Sequence, residues 1–221
     1  SVEQEAWQVL IVEDDQRLAE LTREYLESNG LQVAIEGNGA RAAARIIAEQ
    51  PDLVFFLGDY IYDSSYAPSS GKVIRSHGSG NAVSLSDYRN RYALYKTDPD
   101  LQALHAAAPS VATWDDHEVQ NDYANRWSQD PKIPVGQFLQ QRAAAYQAYY
   151  EHMPLRASSL PKGPDMRIYR RLDYGRLARF HVLDGRQYRS EQPCIPANGS
   201  HQGHIADNLC HDLRDPGRTM L

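Results

Sequence analysis

The chain has 221 residues, of which 42% are hydrophobic and 24% charged, and this composition is typical of a folded globular protein. It excludes a chain that is disordered throughout, a collagen and a coiled-coil rod. The formal net charge of -6 argues against non-specific binding to nucleic acid, which depends on basic surface. We expect no membrane span, because no apolar run approaches the roughly 20 residues that one requires. The acidic start lacks the pattern of a signal peptide, although a signal that had been removed would leave no trace.

The first segment alternates short apolar runs with helical periods. Its first helix places apolar residues at i, i+3, i+4, i+7 and i+8, with Asp15 as N-cap and Asn29 and Gly30 at its end. Continuous apolar runs such as those between the helices fit buried parallel strands. We therefore predict an α/β fold with a mainly parallel sheet and helices on both faces. The five predicted elements are strands over 8–12, 31–35 and 53–57 and helices over 18–26 and 40–49.

After Gly58 and Asp59 the sequence becomes rich in Tyr, Ser and Gly. We predict a long loop over 60–82, and long loops in compact domains are usually functional or disordered. Helices follow from near Ser86 and from Asp98 to Ala108, where Asp98 and Pro99 form a typical helix start. The remaining predicted elements are a strand over 110–114, a polar loop over 119–135, a helix over 136–152 and a hairpin of 168–172 with 177–183.

Carboxylates follow three of the predicted strands. In a parallel sheet the carboxyl ends of the strands meet at the edge where ligands bind. Carboxylates gathered there repel one another unless a cation neutralises them, so the pattern predicts a metal site. The alternative is that each Asp only caps the helix that follows it. The residues concerned are Asp14 and Asp15, Asp59, and Asp115 and Asp116.

Two further side chains are candidates for the same chemistry. His117 follows the acidic pair and can ligate a metal or donate to a phosphoryl oxygen, or it is a surface turn residue. Tyr88 offers a phenolate, a hard oxygen ligand suited to ferric iron. Because Tyr88 shares a helix face with Tyr92 and Tyr95, it also fits an aromatic stripe of the core.

The C-terminal tail carries both cysteines. Cys194 and Cys210 are 16 residues apart, and a disulfide between them would indicate an oxidising compartment. Free thiols are the second possibility. Zinc binding is the third, although the spacing matches no common zinc pattern closely. The zinc alternative would add His201, His204 and His211 to the two cysteines.

Residues 52–221 carry four ordered motifs that resemble the alkaline phosphatase D family of secreted metallophosphoesterases. The resemblance implies hydrolysis of phosphate mono- or diesters at a site of ferric iron and calcium, on a phosphate-ester substrate. The motifs are Asp52–Asp63 (DLVFFLGDYIYD), Asp87–Tyr95 (DYRNRYALY), Thr113–Val119 (TWDDHEV) and Leu183–Arg189 (LDGRQYR).

The resemblance also implies roles for particular residues. Asp59 would bridge metals, and Tyr88 would bind iron as a phenolate. The pair Asp115 and Asp116 would supply a calcium ligand, with His117 beside the phosphate.

Arg186 belongs to the last motif. Its guanidinium can pair with phosphate, or it forms a structural salt bridge with an Asp. Gly185 replaces the Thr of the family pattern. The family's Cys-x-Asp strand and its later His and Asp ligands are missing from this sequence, so we expect impaired activity.

Residues 8–54 resemble the first half of a response-regulator receiver domain. In that family the acidic pair, here Asp14 and Asp15, binds magnesium, but the phospho-accepting position falls on Leu57. We therefore predict a receiver-like segment over 8–57 and a partial catalytic domain over 52–221. A shared sheet would place Asp14 or Asp15 near Asp59.

Two alternatives to a phosphatase stay open. One is a non-enzymatic receiver-like signalling module, and the other is an inactive chimeric fragment. The phosphatase resemblance implies a secreted or periplasmic location and the receiver resemblance a cytoplasmic one. The sequence does not define the oligomeric state.

Overall fold

The computed structural model describes residues 7–13, 15–64, 75–78, 80–176 and 178–191. The chain divides into two compact units. The first consists of Ser1–Val54 and Lys96–Pro109, and the second of Phe55–Tyr95 and Ser110–Leu221. Within the described residues, no helix combines the length and the apolar character that crossing a membrane requires.

The elements follow one another in mixed α/β order. The strands are β1 (Gln8–Val12), β2 (Gln32–Glu36), β3 (Val54–Phe56), β4 (Ser110–Ala112), β5 (Arg170–Tyr174) and β6 (Ala178–Val182). The helices are α1 (Gln16–Ser28), α2 (Gly39–Glu49), α3 (Leu85–Lys96), α4 (Pro99–Ala107) and α5 (Val135–His152), with a 3-10 turn at Ala157–Ser159.

The first unit contains the parallel pair β1–β2, with Val9 opposite Val33, and α2 packs against α4. The predicted start of α1 is confirmed, because the carboxylate of Asp15 accepts a hydrogen bond from the Leu18 N–H at 2.9 Å. Its predicted end is also confirmed, since Asn29 is the C-cap.

The apolar face of α1 is not the side that this helix buries. Leu18, Leu21 and Tyr25 are 53%, 55% and 70% exposed, whereas Ala19 is 1% exposed. The helix lies against β1 and β2, and its buried position is that of the small Ala19. The apolar period therefore located the helix correctly but not the side that it buries.

The second unit has an aromatic core between helices and loops. Trp114 stacks on Tyr146 with ring centroids 4.3 Å apart and donates from its indole nitrogen to Asp184 at 3.0 Å. In the described part of the chain, six of the 14 tyrosines in the sequence are buried, whereas others such as Tyr25 and Tyr169 are exposed. Among the residues that the structure describes, the fully buried rings are Tyr88, Tyr92, Tyr123, Tyr146, Tyr149 and Phe138.

The strands of the described residues form three separate pairs rather than one mainly parallel sheet. In the pair β3–β4 the Val54 N–H bonds to the Pro109 carbonyl and the Thr113 N–H to the Phe56 carbonyl. Residue numbers rise together along the pair, so these two strands are parallel. Each has only three residues, which limits the hydrogen-bond ladder they can build.

The predicted hairpin is confirmed as the antiparallel pair β5–β6, with its turn later than expected. Asp173 and Tyr174 belong to β5, and Gly175 occupies the turn with φ of 56°. Asp173 lies opposite Arg179, and the two side chains form an ion pair at 2.7 Å. This cross-strand pair gives the acidic side chain a partner within the ladder.

Candidate metal centre

The end of β3 delivers Asp59 through a tight backbone turn. Gly58 has φ of 122° and Asp59 has φ of 54°, so both occupy the left-handed region, which Gly and Asp tolerate better than other residues. A Cβ on Gly58 would lie 2.5 Å from the backbone nitrogen of Asp115. The turns that follow β3 and β4 therefore lie so close together that no side chain fits at position 58.

This approach gathers three of the predicted site residues. One candidate ligand atom from each of Asp59, Asp116 and His117 lies within 4.8 Å of the others. Metal–oxygen and metal–nitrogen bonds are roughly 2.0–2.6 Å long, so a single ion can contact all three. The prediction that carboxylates from two strand ends come together is confirmed for these residues.

The electrostatics of Asp59 favour a cation. Burial raises its pKa to about 6; His117 acts against this rise, and Asp116 and Asp115 add to it. Among the described residues its Oδ1 is buried without a hydrogen-bond partner. A buried carboxylate oxygen without a partner, beside a second carboxylate, is unfavourable until a positive charge neutralises it. The residues present therefore fit a metal ion.

Asp116 is the second carboxylate of the group and is 5% exposed. Its Oδ2 accepts the Asp122 N–H at 2.5 Å, and its Oδ1 lies 3.3 Å from a guanidinium nitrogen of Arg186. Burial nevertheless raises its pKa, against the opposing effects of Arg186 and the Asp122 N–H. The Arg186 guanidinium and the Asp122 N–H thus offset part of the negative charge of Asp116.

His117 is held in place by two neighbours that the sequence did not single out. Its Nδ1 lies 2.7 Å from a carboxylate oxygen of Asp63, and its ring stacks on Tyr62 with centroids 4.1 Å apart. Burial alone lowers the pKa of His117, but the Asp63 hydrogen bond and nearby carboxylates outweigh it and raise the pKa. With Nδ1–H donating to Asp63, Nε2 is the nitrogen that remains for a ligand.

Arg186 and Asp115 form an ion pair beside this group. The Arg186 Nε donates to Asp115 Oδ1 at 2.5 Å, and Arg186 is 8% exposed. The salt-bridge alternative for Arg186 is thus observed, and its contact with phosphate stays a prediction. Asp115 directs its carboxylate to this guanidinium and is not one of the three gathered residues, so its calcium role also stays a prediction.

The structure places Tyr88 in the aromatic core. Its hydroxyl donates to the Val119 carbonyl at 2.5 Å and accepts from the Gln141 side chain at 2.9 Å. Burial raises the pKa of Tyr88 far above its usual value, which keeps it a phenol. The phenol beside Asp59 is instead that of Tyr62, 3.5 Å from Asp59 Oδ2. Iron binding by Tyr88 stays a prediction that these contacts do not favour.

The acidic pair after β1 is only partly described. Asp15 is exposed and caps α1, which is the capping alternative, and Asp14 lies outside the described residues. Magnesium binding by this pair and its proximity to Asp59 stay predictions. Both cysteines and the three histidines of the zinc alternative also lie outside the described residues.

The fold and the site together define the class of this protein. It is a mixed α/β protein with a candidate metal centre at the ends of two parallel strands. Residues 34–221 match the family of PhoD-like phosphatases, and the chain belongs to this family.

Two relatives extend this result. The chain is 52% identical over 176 residues to alkaline phosphatase D of Bacillus subtilis (strain 168), which covers 78% of the chain and 28% of that protein. It is 48% identical to the solved structure titled "Structure of PhoD", with a TM-score of 0.68, over 81% of this chain and 33% of that one. The chain thus spans about a third of the length of these relatives.

The family match extends further towards the N-terminus than the resemblance seen in the sequence. The phosphatase resemblance is confirmed, and its region begins at residue 34 rather than near residue 52. It therefore includes β3 and most of β2, which we had assigned to a receiver-like segment. Neither relative is a receiver domain, so the receiver-like start and the chimera have no support from these comparisons.

Proposed function

We propose that the chain carries a metal-dependent phosphoester hydrolase site built on Asp59, Asp116 and His117. The observation that carries the proposal is the buried Asp59 oxygen without a hydrogen-bond partner among the described residues, set within ligand distance of Asp116 and His117. Membership of the PhoD-like phosphatase family supports phosphate esters as the substrate class.

The side chains divide the work between them. A bound metal ion would neutralise the two carboxylates and withdraw electron density from the phosphoryl group. His117 is oriented by Asp63 through Nδ1, so its Nε2 is available to ligate the ion or to donate a proton to a phosphoryl oxygen. Arg186 places a planar guanidinium beside Asp116, where its remaining N–H groups suit a phosphate oxygen.

The proposed metals rest on the resemblance, and the types of ligand atom are compatible with them. Carboxylate oxygens suit calcium, and imidazole suits iron. We therefore keep ferric iron and calcium as the proposed pair, with magnesium at Asp14 and Asp15 as a separate proposal. The resemblance assigns the iron-binding phenolate to Tyr88, whereas proximity to Asp59 favours Tyr62.

The test is hydrolysis of p-nitrophenyl phosphate and of bis-p-nitrophenyl phosphate by the purified chain. We expect turnover with ferric iron and calcium, and a loss of about 100-fold or more after chelation and in Asp59→Asn, since removing even an outer contact of a metal site costs about 10–100-fold. Asp173→Asn is the matched control, because Asp173 lies on the exposed hairpin and pairs with Arg179. Turnover that survives chelation, or an Asp59→Asn variant as active as the control, would contradict the proposal. The turnover rate of the wild-type chain also tests the expectation that its activity is impaired.

The same resemblance supports a secreted or periplasmic location as a proposal. The cytoplasmic alternative depends on the receiver resemblance. A fractionation of cells that produce the full-length protein, followed by immunodetection in each fraction, distinguishes the two.

A further inference from the structure

Glu118 is a buried carboxylate for which the proposed chemistry has no use. It is 1% exposed, it directly follows His117, and it is not one of the three gathered residues. We propose that Glu118 is a positioning residue that ties the Asp59 turn to the turn carrying Asp116 and His117. The inference rests on the proposed metal site. It assigns to the Glu118 side chain the task of fixing the distance between the two turns that present the metal ligands.

The two oxygens of Glu118 bond to different turns. Oε1 accepts the backbone N–H of Tyr60 at 2.6 Å, and Oε2 accepts the backbone N–H of Asp115 at 2.9 Å. Tyr60 directly follows Asp59, and Asp115 directly precedes Asp116. One carboxylate group therefore fixes the distance between the backbones that present both acidic ligands.

The connection also runs in the opposite direction. The backbone N–H of His117 lowers the pKa of Asp59, so the second turn also acts on the carboxylate of the first. The same region contains the close approach of Gly58 to Asp115 and the left-handed backbone of Asp59. A left-handed backbone at a residue other than Gly is unfavourable and persists only where surrounding contacts fix it.

The residue type is specific to this task. The Glu118 carboxyl group accepts through both of its oxygens, whereas a Gln amide accepts through one and directs N–H groups from the other end. Gln at this position would therefore face one of the two backbone N–H groups with a donor. Asp would keep both acceptors but is one methylene shorter, so it cannot reach both turns in their present positions.

The experiment measures binding of Mn²⁺ alone to the full chain, from the loss of the free-ion signal in electron paramagnetic resonance. We expect Glu118→Gln to weaken Mn²⁺ binding about 10–100-fold, the range found when an outer contact of a metal site is removed. Glu118→Asp should also weaken Mn²⁺ binding, because the shorter side chain cannot reach both turns. Glu151→Gln is the matched control, because Glu151 lies on the surface of α5 and pairs with Arg89, and it should bind as the wild type does.

The outcomes separate this inference from the function on which it rests. Folding of each variant is checked by its circular dichroism and thermal melt in EDTA, and Glu118→Asp replaces Glu118→Gln if the latter does not fold. A folded variant with a lower melting temperature but wild-type Mn²⁺ affinity would overturn the inference and leave the metal site standing. A wild-type chain that binds no Mn²⁺ would overturn both.

Discussion

Asp59 is held in a state that costs the folded protein free energy. Its backbone is left-handed, one carboxylate oxygen is buried without a partner among the described residues, and burial raises its pKa to about 6. Each of these features destabilises the metal-free fold, and a cation would relieve the last two. This combination is expected where a residue is selected for binding rather than for stability.

The substitution Asp59→Asn should therefore stabilise the metal-free protein at pH 7.5. Because the folded-state pKa lies above the usual 3.8, the folded chain holds this proton more tightly than the unfolded chain. Stability accordingly falls as the pH rises from about 4 to about 6, and the penalty is complete above pH 6. Allowing for solvent screening of a partly exposed group, we expect a gain of about 1 kcal/mol.

Urea unfolding in EDTA at pH 7.5 and at pH 4 measures this gain. We expect a larger gain at pH 7.5, where the wild-type carboxylate is charged. An equal gain at the two pH values would show that the charge of Asp59 is not the cause.

Asp63 acts on His117 rather than on a ligand directly. Its hydrogen bond and charge raise the pKa of His117 against the effect of burial. In Asp63→Asn the charge is lost while burial still opposes protonation, so the pKa of His117 should fall. A proton NMR titration of the His117 ring in metal-free protein measures it, with the exposed Asp173→Asn variant as control. An unchanged pKa would mean that the Asp63 contact at 2.7 Å does not govern this imidazole.

At the scale of elements, the turn after β3 depends on the absence of a side chain at Gly58. Ala at this position combines a left-handed backbone with a Cβ 2.5 Å from Asp115 atoms, so we expect Gly58→Ala to lose about 3 kcal/mol or more of stability. Gly136→Ala is the control, because Gly136 lies in α5 with no atom within 4 Å of its added Cβ. That variant should gain up to about 1 kcal/mol from helix propensity.

Denaturant unfolding of both glycine variants tests the turn. If Gly58→Ala were as stable as Gly136→Ala, the close approach of the two turns would not exist in solution.

The core between α3 and α5 contains hydroxyls with unequal roles. The hydroxyl of Tyr149 is buried without a hydrogen-bond partner in the described part of the chain, whereas that of Tyr146 contacts the Tyr123 hydroxyl at 3.2 Å. Tyr149→Phe should be neutral or stabilising, and Tyr146→Phe should lose about 1 kcal/mol. Free energies of unfolding from urea titrations compare the two. A larger loss for Tyr149→Phe would reverse the assignment.

Local sequence signals predicted most helices and strands but not which elements pack or pair with one another. The N-cap at Asp15 and the apolar period located α1, because both act within a few residues. The side that α1 buries depends on what packs against it, so the apolar period that includes Leu18 did not show which side is buried. Likewise, the hairpin turn lies later than expected because the pairing of Asp173 with Arg179 extends β5, and this long-range contact has no local signature.

The same limit applies to the site. A carboxylate after an apolar strand is visible in the sequence, so Asp59 and Asp116 were identified. Asp63 follows Asp59 within the motif Asp52–Asp63, but its contact with His117 arises only when the two turns meet. The helical spacing of Tyr88 fitted both a ligand and a core residue, and its bonds to Val119 and Gln141 favour the core.

At the scale of the whole molecule, the candidate site belongs to a single unit. Asp59, Asp116 and His117 all lie in the second unit, which comprises Phe55–Tyr95 and Ser110–Leu221. The family match begins earlier, at residue 34, so it also includes part of the first unit. Because the ligands do not depend on a contact between the units, metal binding should stabilise the second unit itself.

The central claim is that these three residues hold a metal ion, and elemental analysis of the purified chain tests it most directly. After incubation with ferric iron and calcium and removal of free ions, we predict about one bound metal ion per chain or more. Asp59→Asn and His117→Asn should lose this metal, and Asp173→Asn should retain it. A wild-type chain without metal, or equal metal content in all four proteins, would contradict the account.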